Sequence, residues 1–382
     1  MENNVSIDRA LEILSGFPIL SNTEVVDLNN AYNRILSEDM NALVDSPPFD
    51  NSSIDGWAIL STDSPNNRQE VETIFAGDPI PRPLQPSEAF RIMTGAPIPP
   101  NADALVMVED GLHGVARNNF IRRKGENISE GMVALEKNTL LTSAALSLLA
   151  TIGHSQVPVY TAPKVSLIST GDELVKPGKI LEPGQIYESN SILLSSLLQK
   201  AGAISSNFQS SDNIDSLREL FDKCAKSSDL ILTSGGVSMG DHDFVRRLLI
   251  EEGEPHFWKI KMRPGGPPIF GMWKGTPILG LPGNPVSSHI VFLSLVVPWL
   301  SNPTLFYKKI RVRLKSKLKG APEKTVFRRL KIHSDNELTA TTHTHQGSGN
   351  INSMVVHDAL SILPPNTTGE VGDIIDALWL ID

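Results

Sequence analysis

The chain has 382 residues, 40% hydrophobic and 20% charged, with 28 Gly and 27 Pro; at roughly 150 residues per domain this predicts two or three globular domains and excludes a largely disordered or fibrous chain. A formal net charge of -9 argues against generic binding to nucleic acid or an anionic membrane, so an anionic ligand needs a local basic patch. The single cysteine, Cys224, excludes an intramolecular disulfide and a Cys-based zinc site, and a reducing, cytoplasmic compartment is the simpler expectation.

Residues Met1 to Ala10 lack the basic leader and apolar stretch of a signal peptide, so no export is expected. Ser6 can cap a helix in which Ile7, Ala10, Leu11 and Leu14 recur at helical spacing. Residues 22–45 continue as mixed short elements, and the Ala/Leu-rich run Thr142 to Gly153 predicts a helix leading out of the domain before it, with a boundary near residue 160. Between them, residues 46–137 are rich in proline and short apolar runs such as Ala104 to Val108, which predicts a β-rich domain. Residues 163–305 contain three strand and Gly-loop units: Val165 to Ser169 before Gly171, Leu230 to Thr233 before Gly235, and Ile278 to Leu281 before Gly283. Such alternation predicts a parallel sheet with helices on both faces and a functional carboxyl edge. The apolar run Ile290 to Leu300 is interrupted by Ser294 and Pro298 and is too short to span a membrane, so it is expected to be a buried helix. Residues 306–382 open with a strictly alternating basic strand, Ile310 to Lys319, and end in a β-like run, Ile374 to Leu380, predicting a C-terminal β domain. The fold class is therefore α/β plus β, multidomain.

Chemistry-bearing residue types concentrate at the three loops of the α/β part. In DLILTSGGVSMGDHD the strand empties into Ser234, Gly235, Gly236 and Ser238, then Asp241 and Asp243 precede a helix beginning near Phe244. Glycines there either let amides approach an oxyanion or simply make a tight turn, and neither the dinucleotide fingerprint nor the P-loop spacing is met. STGDEL brings Asp172 and Glu173 to the same edge, LPGNPV brings Pro282, Gly283 and Asn284, and Asp212 is a further candidate. These acids suit Mg²⁺, although each alone could be a helix cap. In WKIKMRPGG, Lys259, Lys261 and Arg263 alternate, so they share one face of an extended segment, either drawing anions or guarding a solvated strand edge. His343 and His345 fall short of a zinc site and are read as surface residues, and Cys224 as an inert helix residue.

Seven separated motifs, PFDNSSIDGWA, RIMTGAPIP, STGDEL, SGGVSMGDHD, WKIKMRPG, LGLPGNPVS and HQGSG, occur in one order over nearly the whole chain. The chain thereby resembles the molybdopterin molybdenumtransferase family, MoeA in bacteria, which is similar to the gephyrin E domain. The resemblance implies an elongated homodimer with a leader domain of residues 1–45 with 138–162, a β-rich domain, a central nucleotide-type molybdopterin-binding α/β domain and a C-terminal β domain. It implies insertion of molybdate into adenylated molybdopterin, made by a sister pterin adenylyltransferase, with Mg²⁺-assisted hydrolysis of the phosphoanhydride, release of AMP and delivery of product to acceptor molybdoenzymes. By motif position it implies functional roles for Asp55, Glu173, Asp212, Asp243, Lys259 and Arg263. Glu173, Asp241 and Asp243 are the metal candidates, and Thr94, Ser234, Gly235, Gly236, Ser238, Lys261, Pro282, Gly283 and Asn284 the substrate-binding ones. In the family, Asp55 and Thr94 belong to loops that reach the partner's crevice, whereas Ser348 and Ser353 match positions peripheral to the chemistry. Three departures stand out: Arg263 and Gly266 replace lysines of a usual KPGKP, and Trp57 replaces a common Tyr. The competing readings are the sister adenylyltransferase, disfavoured by the long flanking domains, and a weakened scaffold, favoured only by Gly266.

Overall fold

A computed structural model describes residues 1–19, 22–237, 243–300, 303–334, 336–342 and 345–381. The chain divides into two compact units, residues 1–22 with 161–382, and residues 23–160.

The first unit is built on a seven-stranded sheet. Four strands, Ile204–Ser210, Lys164–Thr170, Leu230–Ser234 and Thr276–Leu281, run parallel in that spatial order. Alternate side chains divide between two cores as period-two pleating requires. Val165, Leu167, Leu230, Leu232, Leu279 and Leu281 enter one core with helices Asn190–Lys200 and Pro285–Val291. Ile168, Ile231 and Ile278 enter the other with helices Ile214–Ala225 and Phe244–Glu251. The expected buried helix at Ile290 to Leu300 is present, with a widened turn at Phe292–Val296 just before Pro298, which lacks the N–H a regular turn needs.

The other side of the sheet is not parallel. Ile269–Trp273 is antiparallel to both Thr276–Leu281 and Glu254–Ile260. The two residues between the first pair, Lys274 (φ 49°) and Gly275 (φ 83°), form the left-handed turn that joins antiparallel neighbours. Glu2–Val5 adds the outermost strand, parallel to Glu254–Ile260. Ser6 caps the following helix, Ile7–Ser15, by accepting from the Arg9 amide, and Ala10 and Leu14 pack into the same core as Phe257 and Phe270. Residues 1–22 therefore belong with the α/β part, in contrast to the expected leader of 1–45, because their apolar face finds its partner some 250 residues along the chain.

Five strands, Tyr307–Leu314, Leu338–Thr342, Arg329–Ser334, Ala359–Ile362 and Ile374–Leu380, close into a barrel around Val312, Leu330 and Ala377. The basic strand ends at Leu314, yet alternation of burial persists through Lys319. The second unit has one core around helix Ser143–Thr151, capped by Thr142, and another around the four-stranded sheet Gln69–Ile74, Glu88–Ile92, Gly56–Ile59 and Ala104–Met107. Among the described residues no helix is long and apolar enough to cross a membrane.

Candidate functional site

A cleft of about 650 Å³ opens at the carboxyl ends of the four parallel strands, and each contributes to it through its last residue or the loop that follows: Thr170, Asp212, Ser234 and Gly283. Ligand crevices form at this edge because the strand ends release backbone groups and side chains together. Glu173, Asp243, Gly235, Gly236 and Asn284 also line it, as expected from their loops. Pro282 sits just behind, its carbonyl accepting from the buried Ser288 hydroxyl. Ser238 and Asp241 lie outside the described residues.

The carboxylates separate by role. Asp172 accepts from the Asp212 amide at 3.1 Å and so holds the loop together. Capping of helix Ile214–Ala225 falls to Asn213, which accepts from the amides of Asp215 and Ser216, so Asp212 is not the cap. Asp243 occupies the N-cap position of Phe244–Glu251 without a capping side-chain bond, and its residue lines the cleft instead. Among the described residues no three His, Cys, Asp or Glu side chains gather into a metal-holding cluster. Mg²⁺ needs only one or two carboxylates beside phosphate oxygens and water, and the hard oxygen donors present fit it on that basis.

Glycine is required at two of the loops. Gly171 has φ 143°, and a Cβ there would fall 2.5 Å from a Glu173 carboxylate oxygen. Gly235 has φ 101°, and its Cβ would stand 2.8 Å from Thr170 Oγ1. The Gly235 N–H donates to Leu281 O at 3.1 Å, so the anion-binding role expected of glycine amides does not fall to that one.

Two cleft residues carried no signal in the sequence reading. Asn190 Nδ2 donates to Ser234 Oγ and to Gly283 O, both at 2.7 Å, tying the loops after two neighbouring strands to the start of helix Asn190–Lys200. The buried Glu188 carboxylate accepts from Ser169 Oγ at 3.1 Å and the Ser191 amide at 2.8 Å, taking over the capping that Ser189 does not provide. In the sequence, ESNS reads only as a polar helix start.

The three cations of WKIKMRPGG do not line this cleft and do not share one face. Lys259 has φ 65°, which shifts the alternation by one residue: Phe257 and Ile260 enter one core while Trp258 enters the other. Lys259 Nζ lies 4.0 Å from the Trp258 ring centre and Arg246 3.9 Å from it. The Trp258 indole donates to Val237 O at 3.2 Å and the Arg246 amide to Gly236 O at 3.1 Å, so this cluster fastens the base of the SGG loop. Lys261 is half-buried beside the N-terminal strand, its amide donating to Val5 O. Arg263 lines a second cavity, of about 360 Å³, together with Gly265 and Gly266.

Part of the C-terminal stretch reaches the main cleft. Gly349 and Ile351 line the main cleft, and the Ser348 carbonyl accepts from Val286 N–H at 3.0 Å. Ser353 Oγ accepts from Nε of Arg329 at 3.0 Å. Arg329 was missed in the sequence; it is 1% exposed, and its Nη1 has no hydrogen-bond partner among the described residues. Burial, and next the charge of Arg328, push its pKa down to about 10. A buried cation with an idle donor is arranged for an anion. His343 lies outside the described residues, His345 is exposed, and burial raises the Cys224 thiol's pKa, as suits an inert residue.

In the other unit, Asp55 Oδ1 accepts from the Thr94 amide at 2.7 Å and the Thr94 hydroxyl at 2.9 Å. Those bonds, with Arg91's charge behind them, hold the Asp55 carboxyl below its ordinary pKa. The Trp57 indole donates to Glu70 at 2.7 Å.

Three family models cover the chain in order: "MoeA N-terminal region (domain I and II)" over residues 5–153, "Probable molybdopterin binding domain" over 166–302, and "MoeA C-terminal region (domain IV)" over 311–380. A protein of Bacillus subtilis named molybdopterin molybdenumtransferase is 33% identical over 98% of this chain and 94% of its own. One of the same name from Haemophilus influenzae is 38% identical over 78% of this chain and 77% of its own. The crystal structure of a molybdopterin biosynthesis MoeA protein from Pyrococcus horikoshii OT3 matches with a TM-score of 0.81 at 25% identity, covering 98% of this chain and all of its own. With the three regions, the relatives and the crevice in agreement, the chain belongs to the MoeA family of molybdopterin molybdenumtransferases, enzymes of molybdenum-cofactor biosynthesis.

Proposed function

We propose that this chain takes adenylated molybdopterin, inserts molybdenum from molybdate into its dithiolene, and releases AMP by hydrolysing the phosphoanhydride. The observation that carries this reading is the main cleft, where Glu173, Asp212 and Asp243 share one wall system with glycine-shaped loops at a parallel-sheet edge. Apolar Leu174, Ile186, Tyr187 and Ile351 supply surface on which a planar pterin can lie, while the carboxylates face its polar end.

In the hydrolysis a water oxygen bonds to phosphorus, the bridging P–O bond breaks, and AMP leaves. One of Glu173, Asp212 and Asp243 accepts the water proton. Glu173 or Asp243 would hold Mg²⁺ beside the phosphates, where the ion would supply charge neutralisation. Asn190 keeps two loops at fixed separation, so the donors around the phosphates need little rearrangement during reaction. Arg329 supports the same reading from the barrel side, as a buried guanidinium with one donor open to an oxyanion.

The proposal includes a homodimer in the cytoplasm, supplied by a pterin adenylyltransferase and serving acceptor molybdoenzymes. Light scattering should then return twice the mass of one chain. The test of function is reconstitution: the purified chain, adenylated molybdopterin, Mg²⁺ and molybdate should restore activity to a cofactor-free molybdoenzyme. Failure to restore it, with substrate bound, would favour a pterin-binding scaffold.

A further inference from the structure

The main cleft is acidic. Glu173, Glu188, Asp212 and Asp243 line it, and among the described residues that do so there is no Lys, Arg or His. Phosphate oxygens entering such surroundings are held by a metal ion brought with them and by neutral N–H and O–H donors. Two side-chain donors of the cleft are already engaged: Asn190 donates to Ser234 and Gly283, and the Tyr187 hydroxyl to Lys179 O at 2.8 Å. The Thr170 hydroxyl is not, because among the described residues it makes no hydrogen bond.

Thr170 ends the strand Lys164–Thr170, with Ser210 beside it on one neighbouring strand and Ser234 at the end of the other. Period-two pleating turns its side chain to the same face as Ile168, where helices Ile214–Ala225 and Phe244–Glu251 pack. Asp212 and Asp243 stand just ahead of those helices, and Thr170 lines a small hollow there with Asp212, Gly236 and Phe244. The glycine loop leaves room around the hydroxyl: a Cβ on Gly235 would fall 2.8 Å from Thr170 Oγ1, and one on Gly236 3.4 Å from it.

We infer that Thr170 is a further substrate-binding residue, whose Oγ1 hydroxyl donates to a non-bridging phosphate oxygen of the phosphoanhydride. Being neutral, it adds a donor without forming an ion pair with Glu173, Asp212 or Asp243, and those carboxylates stay available to the metal ion and the attacking water. The identity of the ligand rests on the function proposed above; the idle hydroxyl in a cleft lined by carboxylates does not.

The test is calorimetric titration of the full chain with adenylated molybdopterin and Mg²⁺, molybdate withheld. Thr170→Val, similar in shape and suited to a strand, should weaken binding roughly tenfold or more, the scale of losing a hydrogen bond to a charged group. Its urea midpoint should match that of the parent, because no hydrogen bond within the fold is lost. Thr170→Ser keeps the hydroxyl and loses a methyl, so it should bind within about twofold of the parent even where its midpoint falls. Weaker binding together with a lowered midpoint in Thr170→Val would mark a structural hydroxyl and overturn the inference. So would a difference in affinity that disappears when Mg²⁺ is withheld, since the hydroxyl would then serve the ion. Equal binding by the parent and Thr170→Val would refute this inference alone, whereas no binding of the adenylated pterin by the parent would overturn the proposed function and this inference with it.

Discussion

Replacing Asn190 with alanine removes both hydrogen bonds that tie the loop at Ser234 to the loop at Gly283. Ser234 is 3% exposed, so its hydroxyl loses a partner that water replaces poorly, at a cost of about 1–2 kcal/mol. The Gly283 carbonyl is at the exposed rim and can be rehydrated, so its bond contributes about 0.5 kcal/mol. The expected destabilisation is therefore about 2 kcal/mol, read from urea unfolding at unchanged m value. In a double-mutant cycle with Ser234→Ala the two changes should couple by about 1 kcal/mol, because they delete one shared bond. The loops would also lose their fixed separation, so KM for the adenylated substrate should rise more than kcat falls. An Asn190→Ala variant within about 0.5 kcal/mol of the parent, additive with Ser234→Ala, would refute the clamp.

Other outcomes follow from the same geometry. Asp243→Asn, which keeps the shape of a side chain lining the cleft, should remove most AMP release while leaving the fold intact; comparable turnover would refute a central role. Gly235→Ala should destabilise by about 1–3 kcal/mol, from a left-handed backbone and the 2.8 Å approach to Thr170, and a neutral result by denaturant unfolding would show that the loop is differently shaped. Arg329→Gln removes a buried, incompletely paired cation, so without oxyanion it should be no less stable, and added molybdate should raise the midpoint of the parent more than that of the variant. The Asp55 carboxyl has its pKa lowered in the fold, so its bonds to Thr94 stabilise above the ordinary carboxylate range and are lost as pH falls through and below it. An NMR titration should show Thr94→Val raising the Asp55 pKa.

What was legible in the sequence was whatever local pattern encodes. Ser6 announced its helix because capping is a matter of three residues, and Thr142 to Gly153 announced theirs by an Ala/Leu-rich run closed by glycine. The loops after Thr170, Ser234 and Leu281 announced a shared edge because apolar strands ending in glycine are short-range signals. Long-range choices were not legible. The pairing of Glu2–Val5 with Glu254–Ile260 depends on a partner distant in the chain, and ENNV, with a single apolar residue, carries no strand pattern of its own. The face assigned to Lys259 failed at one backbone angle, φ 65°, which reversed the alternation that placed it beside Arg263. Asn190 and Arg329 were passed over because their importance lies in what surrounds them: one is a polar residue at a helix start, the other an arginine in a basic strand. Only the fold reveals that the first bridges two loops and that the second points inward.

The most direct measurement is AMP release by the purified chain given adenylated molybdopterin and Mg²⁺, with and without molybdate. Release that depends on molybdate, and falls away in Asp243→Asn, is the predicted result. Tight binding of the adenylated pterin with no AMP released under either condition would contradict the account.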